Sequence, residues 1–452
     1  MTKTVDHSRL AALLKSEEEL FHKNHPRSLE LYQQARKSLH SGVPMLWMIR
    51  WAGSFPVFVR EARGAHFTDV DGNSYLDLCL GDTGAMTGHA PAATLAAIRS
   101  QAEKGITLML PYEDVIWVGE ELQRRFGLPY WQFTLTATDA NRFVLRMARM
   151  ITGRPKVLVF NYCYHGTVDE TFITLDEEGT PMSRANNMGP QIDPLFTTKV
   201  IEFNDVAALE TALSARDVAA VLAEPVMTNI GIIHPDPGYH QALRELTRKY
   251  GTYLIIDETH TICAGPGGYT AANGLQPDFL TLGKPVAGGV PAAIYGFTEE
   301  VARAFDERLV LEDADVGGIG GTLAGNALSI AAMKATLQHV LTGAFYAKAI
   351  ELQEQFTAGV EGVIREFDLP WIVKRLGNRS EYWFRPTPPR NGGEAHAAID
   401  TELDRYMHLF ALNRGILMTP FHNMALISDA TTKEDVDYHT RVFREAVVSL
   451  FS

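Results

Sequence analysis

Asp257 and Lys284 each close a short apolar run, Tyr253-Leu254-Ile255-Ile256-Asp257-Glu258-Thr259-His260 in one case and Phe279-Leu280-Thr281-Leu282-Gly283-Lys284-Pro285 in the other. Apolar runs of this length, bounded by small and turn-forming residues, predict buried strands of a parallel sheet, and open α/β sheets bind ligands at the C-terminal ends of their strands. The two charged side chains are therefore expected to face one pocket. A lysine there suits an aldehyde, because its amine, with a pKa ordinarily about 10.4, becomes a nucleophile once desolvation lowers that value. A carboxylate there suits a basic ring nitrogen that must stay protonated. Pyridoxal 5'-phosphate (PLP) carries both groups, and its pyridinium form is the strong electron sink. A structural ion pair at a sheet edge accounts for the same two residues without chemistry.

Other stretches offer parts for such a site. Thr136-Ala137-Thr138-Asp139-Ala140-Asn141 opens a long helical pattern. Backbone N–H groups at a helix start hold phosphate, and Thr138 adds a hydroxyl; a plain N-cap by Thr138 or Asp139 explains the same residues. Tyr162-Cys163-Tyr164-His165-Gly166 ends a strand with an aromatic ring that can lie on a planar cofactor while Gly166 gives clearance, or with a simple turn. Ala223-Glu224-Pro225-Val226 ends another with a carboxylate, structural or paired to a neighbouring base. Gly320-Gly321-Thr322-Leu323-Ala324-Gly325-Asn326 precedes a helix and is a second phosphate-grade stretch. The apolar loop from Gly42 to Trp51, with Trp47, Met48 and Arg50 in it, reads either as cover for the core or as the wall of a substrate pocket.

The elements that must position these residues follow from periodicity. Between residues 92 and 335 helical and strand patterns alternate, with helices over 92–103, 115–126, 140–151, 205–214 and 239–250 and strands over 157–160, 199–203, 218–223, 253–256, 279–282 and 292–297. Ahead of them lie two amphipathic helical patterns, 10–20 and 29–39, broken at His25-Pro26, and a meander of short strands over 55–80 that turns at Asp69-Val70-Asp71-Gly72-Asn73. That turn lacks the later acidic ligands of a calcium loop. After residue 322 helix dominates to residue 366 with a break at Gly343, and strands over 371–384 and 424–427 with helices over 400–412 and 433–451 complete a smaller α+β region. The glycine-rich loop from Gly81 to His89 marks a close backbone approach.

Composition limits the partners. With 452 residues and 46% apolar content the chain supports a large core and two domains, and a formal net charge of −13 disfavours nucleic acid or an anionic membrane surface. Cys79, Cys163 and Cys263 are too scattered for a disulfide framework or a zinc site, so no metal is expected and the compartment is expected to be reducing. With no apolar leader at the N-terminus and no run of about 18 apolar residues, the expected location is the cytoplasm.

Taken in order, the strand before TATDAN, then YHG, AEPV, IIDE, LGK and GGT resemble the class III, fold-type I PLP-dependent aminotransferases. The resemblance is to the branch that contains glutamate-1-semialdehyde aminomutase and β-amino-acid aminotransferases, and it runs from about Val57 to the C-terminus. It implies an α/β fold with a large, mostly parallel α/β/α domain and a smaller C-terminal α+β domain, divided here as 1–60 (helical segment and pocket loop), 61–335 and 336–452. It also implies that Lys284 is the Schiff-base lysine, that Asp257 pairs with the pyridine nitrogen and that Tyr164 stacks on the ring. Ala137 and Thr138 would cradle the phosphate, Glu224 would sit with the cofactor, and Thr322 would be given to the neighbouring subunit's phosphate in an obligate homodimer.

Three departures stand out. The family's Ser-Gly-Ser/Thr-Glu turn is Thr136-Ala137-Thr138-Asp139 here; His260 stands where relatives often have Gln or Met, placed to hydrogen-bond the cofactor's phenolic oxygen or to be satisfied within the core; and Trp47 falls where relatives that act on amino acids carry a carboxylate-binding arginine. Arg50 or Arg379 is the replacement on offer. The expected activity is transfer of an amino group from an amine or (β-)amino acid to a 2-oxo acid through a Lys284 imine, with Trp47, Arg50 and Trp51 shaping the donor pocket. An aminomutase or racemase on the same scaffold is the alternative, and a cofactor-free protein that keeps only the fold is a further one.

Overall fold

The structure, a computed structural model, describes residues 4–308, 318–420 and 422–451. The chain divides into two compact units, residues 1–91, 344–388 and 398–452 in the first and residues 92–343 and 389–397 in the second.

The second unit is built on a seven-stranded sheet: β1 (Tyr130–Thr134), β2 (Lys156–Phe160), β3 (Thr198–Ile201), β4 (Val218–Ala223), β5 (Tyr253–Asp257), β6 (Phe279–Leu282) and β7 (Ala293–Phe297), in the spatial order β1-β7-β6-β5-β4-β2-β3. All neighbours pair in parallel except β7, which runs antiparallel to both β6 and β1. The α/β, mostly parallel architecture is the one expected. The central strands are apolar on both faces because both faces are covered: every residue of β4, β6 and β7 is buried. The helix Ala137–Thr152 follows β1 and turns Ala140, Val144, Met147, Ala148 and Ile151, at i, i+4, i+7, i+8 and i+11, into the core. Register places Asp257 beside Thr281. Lys284 therefore lies just beyond the level at which β5 ends.

In the first unit the meander is Val59–Arg63, His66–Asp69 and Ser74–Asp77, turning at 70–73 as expected. A second sheet joins Ile372–Leu376, Arg379–Trp383 and Met424–Leu426. The first helix, His7–Asn24, is capped by the Asp6 carboxylate and buries Leu10, Leu14 and Phe21. The expected break after it is a buried joint: His25 contacts the Tyr75 hydroxyl at 2.6 Å and the Phe21 carbonyl at 2.7 Å. The helical stretch is interrupted at residues 340–342 and not at Gly343 itself, which opens the second of the two helices, Ala327–His339 and Gly343–Glu366. The compact units cut across the division drawn from the sequence at residue 61: Ile416–Leu417 pairs in parallel with Ser74–Asp77, and this ladder ties residues 61–91 to the C-terminal region. Among the described residues, no helix is long and apolar enough to cross a membrane.

Candidate active site

The site is assembled where β5 and β6 end. Lys284 follows Gly283 into a tight turn, Lys284–Ala287, and adopts a left-handed φ of 49°, unusual for a side chain other than glycine, asparagine or aspartate. A Cβ at Gly283 would lie 2.9 Å from the Cβ of Ala137, so the lack of a side chain at Gly283 lets the lysine turn close on the first residue of the Ala137–Thr152 helix. The residue just before Lys284 thus packs against Ala137.

Asp257 is buried and its carboxylate has three partners within the protein. Oδ2 accepts from Asn141 Nδ2 at 2.9 Å and faces His165 Nδ1 at 2.9 Å, while Oδ1 accepts from the Thr259 N–H at 3.0 Å. Asn141 in turn accepts from the Thr281 hydroxyl at 2.7 Å and donates to the His165 carbonyl at 3.1 Å. One network therefore links β5, β6, the helix after β1 and the turn after β2. Burial alone would push the Asp257 carboxyl up, but the hydrogen bond and charge of His165, with Thr259 and Asn141, hold it well below the usual carboxylate range. Burial works against charge on His165 too, yet Cys163 and Asp257 beside it raise it well above an ordinary imidazole. Both directions favour the charged forms facing each other.

Glu224, at the end of β4, is buried beside this pair. Burial pushes its carboxyl up to about 7, against the pull of the His165 charge and the Thr228 hydroxyl that donates to it. The helix start is capped by Thr136, not by Thr138 or Asp139: its hydroxyl accepts from the Asp139 N–H at 3.1 Å and donates to the Asp139 carboxylate at 2.9 Å. Thr138 is thereby left on the first turn, where its hydroxyl accepts from the Thr167 N–H at 3.0 Å. Gly166 packs against that hydroxyl so tightly that a Cβ would come within 2.1 Å of it, and its φ of +76° also demands glycine.

The second unit thus contains Ala137, Thr138, Tyr164, Glu224, Asp257, His260, Lys284 and Thr322. His260 Nε2 lies 2.7 Å from Lys284 Nζ, and Tyr164 is half-buried next to His165. Thr322 is exposed in the turn before the Ala327–His339 helix. Trp47, Arg50 and Trp51 belong to the first unit, Trp47 and Arg50 exposed and Trp51 half-buried, around the short turn Leu46–Ile49. Arg379, the other arginine considered for a substrate carboxylate, is also in the first unit. It is wholly buried and donates to the Thr83 hydroxyl at 2.6 Å. Sequence reasoning did not assign Asn141 or His165 to Asp257, although both stand in stretches singled out for other reasons. The available signal was positional: Asn141 sits one turn into the phosphate-grade helix start and His165 directly follows the aromatic candidate.

The residues present fit PLP. A buried carboxylate held ionised matches a ring cation, a lysine stands at the strand end beside it, and N–H groups with a hydroxyl gather at the start of a 16-residue helix. A family profile described as "Aminotransferase class-III" matches residues 48–435. The chain is 32% identical over 431 residues to glutamate-1-semialdehyde 2,1-aminomutase from Sorangium cellulosum (strain So ce56), covering 94% of this chain and 97% of that protein. Among solved structures, glutamate-1-semialdehyde-aminomutase from Pseudomonas aeruginosa PAO1, a variant of which was crystallised in complex with PMP, superposes with a TM-score of 0.97 and 50% identity over 99% of this chain and 100% of that one. An omega-transaminase from Sphaerobacter thermophilus superposes with a TM-score of 0.86 and 27% identity over 94% of this chain and 98% of that one.

Proposed function

The chain belongs to the class III aminotransferase family, and from that premise we propose that it is a PLP-dependent aminomutase, shifting an amino group between adjacent carbons of one small amino-aldehyde or amino-acid substrate. The observation that carries this reading is the 50% identity, across 99% of the chain, to the Pseudomonas aeruginosa glutamate-1-semialdehyde-aminomutase. It replaces the first expectation from sequence, transfer to a separate 2-oxo acid, by the alternative weighed beside it. Transamination is kept as the second reading because the Sphaerobacter omega-transaminase shares the fold at 27% identity.

When bound, PLP supplies an aldehyde that takes up amines and a pyridinium ring that draws electrons from the adjacent carbon. Lys284 would hold it through Nζ, and Asp257, kept ionised by His165 and Asn141, would hold the proton on its ring nitrogen. The N–H groups at the helix start, with Ala137 and Thr138, would bind its phosphate, and Tyr164 would lie on its ring. Once displaced by a substrate amine, Lys284 Nζ is the group placed to take a proton from one substrate carbon and return it to the next. Thr322 is offered to the phosphate of a second copy in a homodimer. Trp47, Arg50 and Trp51 are assigned to substrate recognition.

The test uses the PLP-loaded protein with glutamate 1-semialdehyde and no acceptor, followed by NMR and mass spectrometry. A product of unchanged mass with the amino group moved from C2 to C1 supports the aminomutase. A keto product that needs an added 2-oxo acid supports the second reading, and no reaction of either kind with this and related amino aldehydes and amino acids overturns both.

A further inference from the structure

His260 Nε2 and Lys284 Nζ lie 2.7 Å apart. The contact follows from the local chain path: His260 stands three residues beyond Asp257 at the head of the turn Thr261–Ala264, and Lys284, with its left-handed φ of 49°, heads the turn after the neighbouring strand. Both side chains are half-buried. We propose that His260 is a further catalytic residue of this site, the base that takes the proton Lys284 Nζ must shed before that nitrogen can attack a carbonyl carbon. The inference rests on reading Lys284 as the amine that captures PLP.

The chemistry is that of the contact itself. An ammonium nitrogen has no free electron pair, so Lys284 must lose a proton to act as a nucleophile. In the resting contact Nζ–H donates and Nε2 accepts, which places the imidazole proton on Nδ1. In the transfer, an Nζ–H bond breaks, its electron pair remains on Nζ, and the proton forms the Nε2–H bond. That step is uphill in isolation, an alkyl amine being a stronger base than an imidazole. It is completed as the freed pair bonds to the carbonyl carbon and the carbonyl's π pair moves to its oxygen, which leaves as water with the proton from Nε2 and a second one from Nζ; the reverse step returns both protons when the lysine is released.

The charged groups on the adjoining elements have partners of their own. The Asp257 carboxylate is taken by His165, Asn141 and the Thr259 N–H. The Glu258 carboxylate accepts from the Thr261 hydroxyl at 2.5 Å and from the Tyr269 and Thr270 N–H groups. Glu224 accepts from Thr228. The imidazole lies against Nζ itself, at 2.7 Å. A purely positioning role is separable from this one, because glutamine at 260 keeps a hydrogen-bond acceptor but takes no proton.

The experiment uses cofactor-stripped protein, in the wild-type form and as His260→Gln. At fixed neutral pH, limited acetic anhydride labels amines, and peptide mass spectrometry reads the rate at Lys284 against surface lysines; stopped-flow absorbance then reads the rate of PLP uptake. Positioned general bases contribute on the order of 10²- to 10⁴-fold, so a drop of at least about tenfold is expected in both rates at unchanged melting temperature. Rates in the glutamine variant within about twofold of wild type overturn the proposal. Independently of that variant, ¹⁵N-histidine spectra of the stripped wild-type protein are expected to show His260 Nε2 as an unprotonated acceptor whose signal moves in Lys284→Ala; an unmoved signal also overturns it. A wild-type protein that takes up no PLP defeats the functional reading instead, and leaves the labelling comparison to decide the role of His260.

Discussion

His165 and Asp257 form an ion pair, Nδ1 to Oδ2 at 2.9 Å, with side chains 0% and 4% exposed. Asn141 and Thr259 complete the carboxylate's shell, so the charge that would face the cofactor ring is fixed before any ligand arrives. Removing one partner of such a pair strands the other charge in a buried setting, at a cost of about 3–5 kcal/mol. His165→Phe is therefore expected to lower the urea-unfolding free energy by about that amount, whereas His165→Gln, which retains a donor, loses less. A phenylalanine variant as stable as wild type would show that Asp257 is held by Asn141 and the backbone alone.

Gly166 supplies the second prediction. Its Cβ position is occupied by the Thr138 hydroxyl at 2.1 Å, and its φ of +76° is one that an L side chain rarely adopts. Gly166→Ala must push the turn away from the helix start and break the Thr167 N–H bond to Thr138. Strain of this kind costs about 1–3 kcal/mol. The expected result is a melting temperature lowered accordingly and weaker retention of both PLP and inorganic phosphate on dialysis. Unchanged retention would separate Thr138 from phosphate binding.

The sequence showed much of this, and the reason for each gap is physical. The strands around Asp257 and Lys284 were legible because strands buried on both faces are continuous apolar runs, and the helix after β1 was legible from its 3.6-residue stripe. The family was legible because the motifs recur in order. The Asp257 shell was not, because Asn141 and His165 reach it through tertiary contacts spanning 116 and 92 residues, which no local pattern encodes. The Thr136 cap was misassigned by two or three residues, since threonine and aspartate in one turn compete for the same N–H groups. The grouping of residues 61–91 with the C-terminal region includes a two-residue parallel ladder, Ile416–Leu417 on Ser74–Asp77, and core packing between segments far apart in the chain. A strand that short leaves almost no signal.

His439 makes the stability of the chain fall in acid. It is buried between Phe356, at 4.3 Å ring to ring, and Phe443, and burial lowers its imidazole to about 3. Between pH 6.5 and about 3 the unfolded chain binds a proton at this position that the folded chain does not, so folding stability declines as pH falls through that window. At pH 4.5 the loss is roughly 3 kcal/mol relative to pH 7, from two pKa units at about 1.4 kcal/mol each. His439→Leu keeps the packing and removes the proton site. The difference in unfolding free energy between variant and wild type is expected to grow by about that amount from pH 7 to 4.5, and a pH-independent difference would count against the buried neutral imidazole.

Trp47 and Arg50 stand exposed in an apolar stretch with Met45, Leu46, Met48 and Ile49, where surface positions ordinarily favour polar residues. Exposed side chains contribute little to folding, typically within about 0.5 kcal/mol on substitution. If they serve substrate recognition, their loss must appear in binding and not in stability. Trp47→Ala combined with Trp51→Ala is expected to raise KM by about tenfold, near 1.4 kcal/mol of lost contact, and to change the ranking of substrates. The Trp47→Ala single variant should leave the unfolding midpoint essentially unchanged, since half-buried Trp51 alone carries the packing loss in the double variant. Arg50→Gln is expected to raise KM selectively for substrates that carry a carboxylate, because a guanidinium gives two parallel charge-assisted hydrogen bonds that an amide does not. An unchanged substrate ranking in all of these variants would remove the 47–51 loop from the recognition surface and return it to a role in packing.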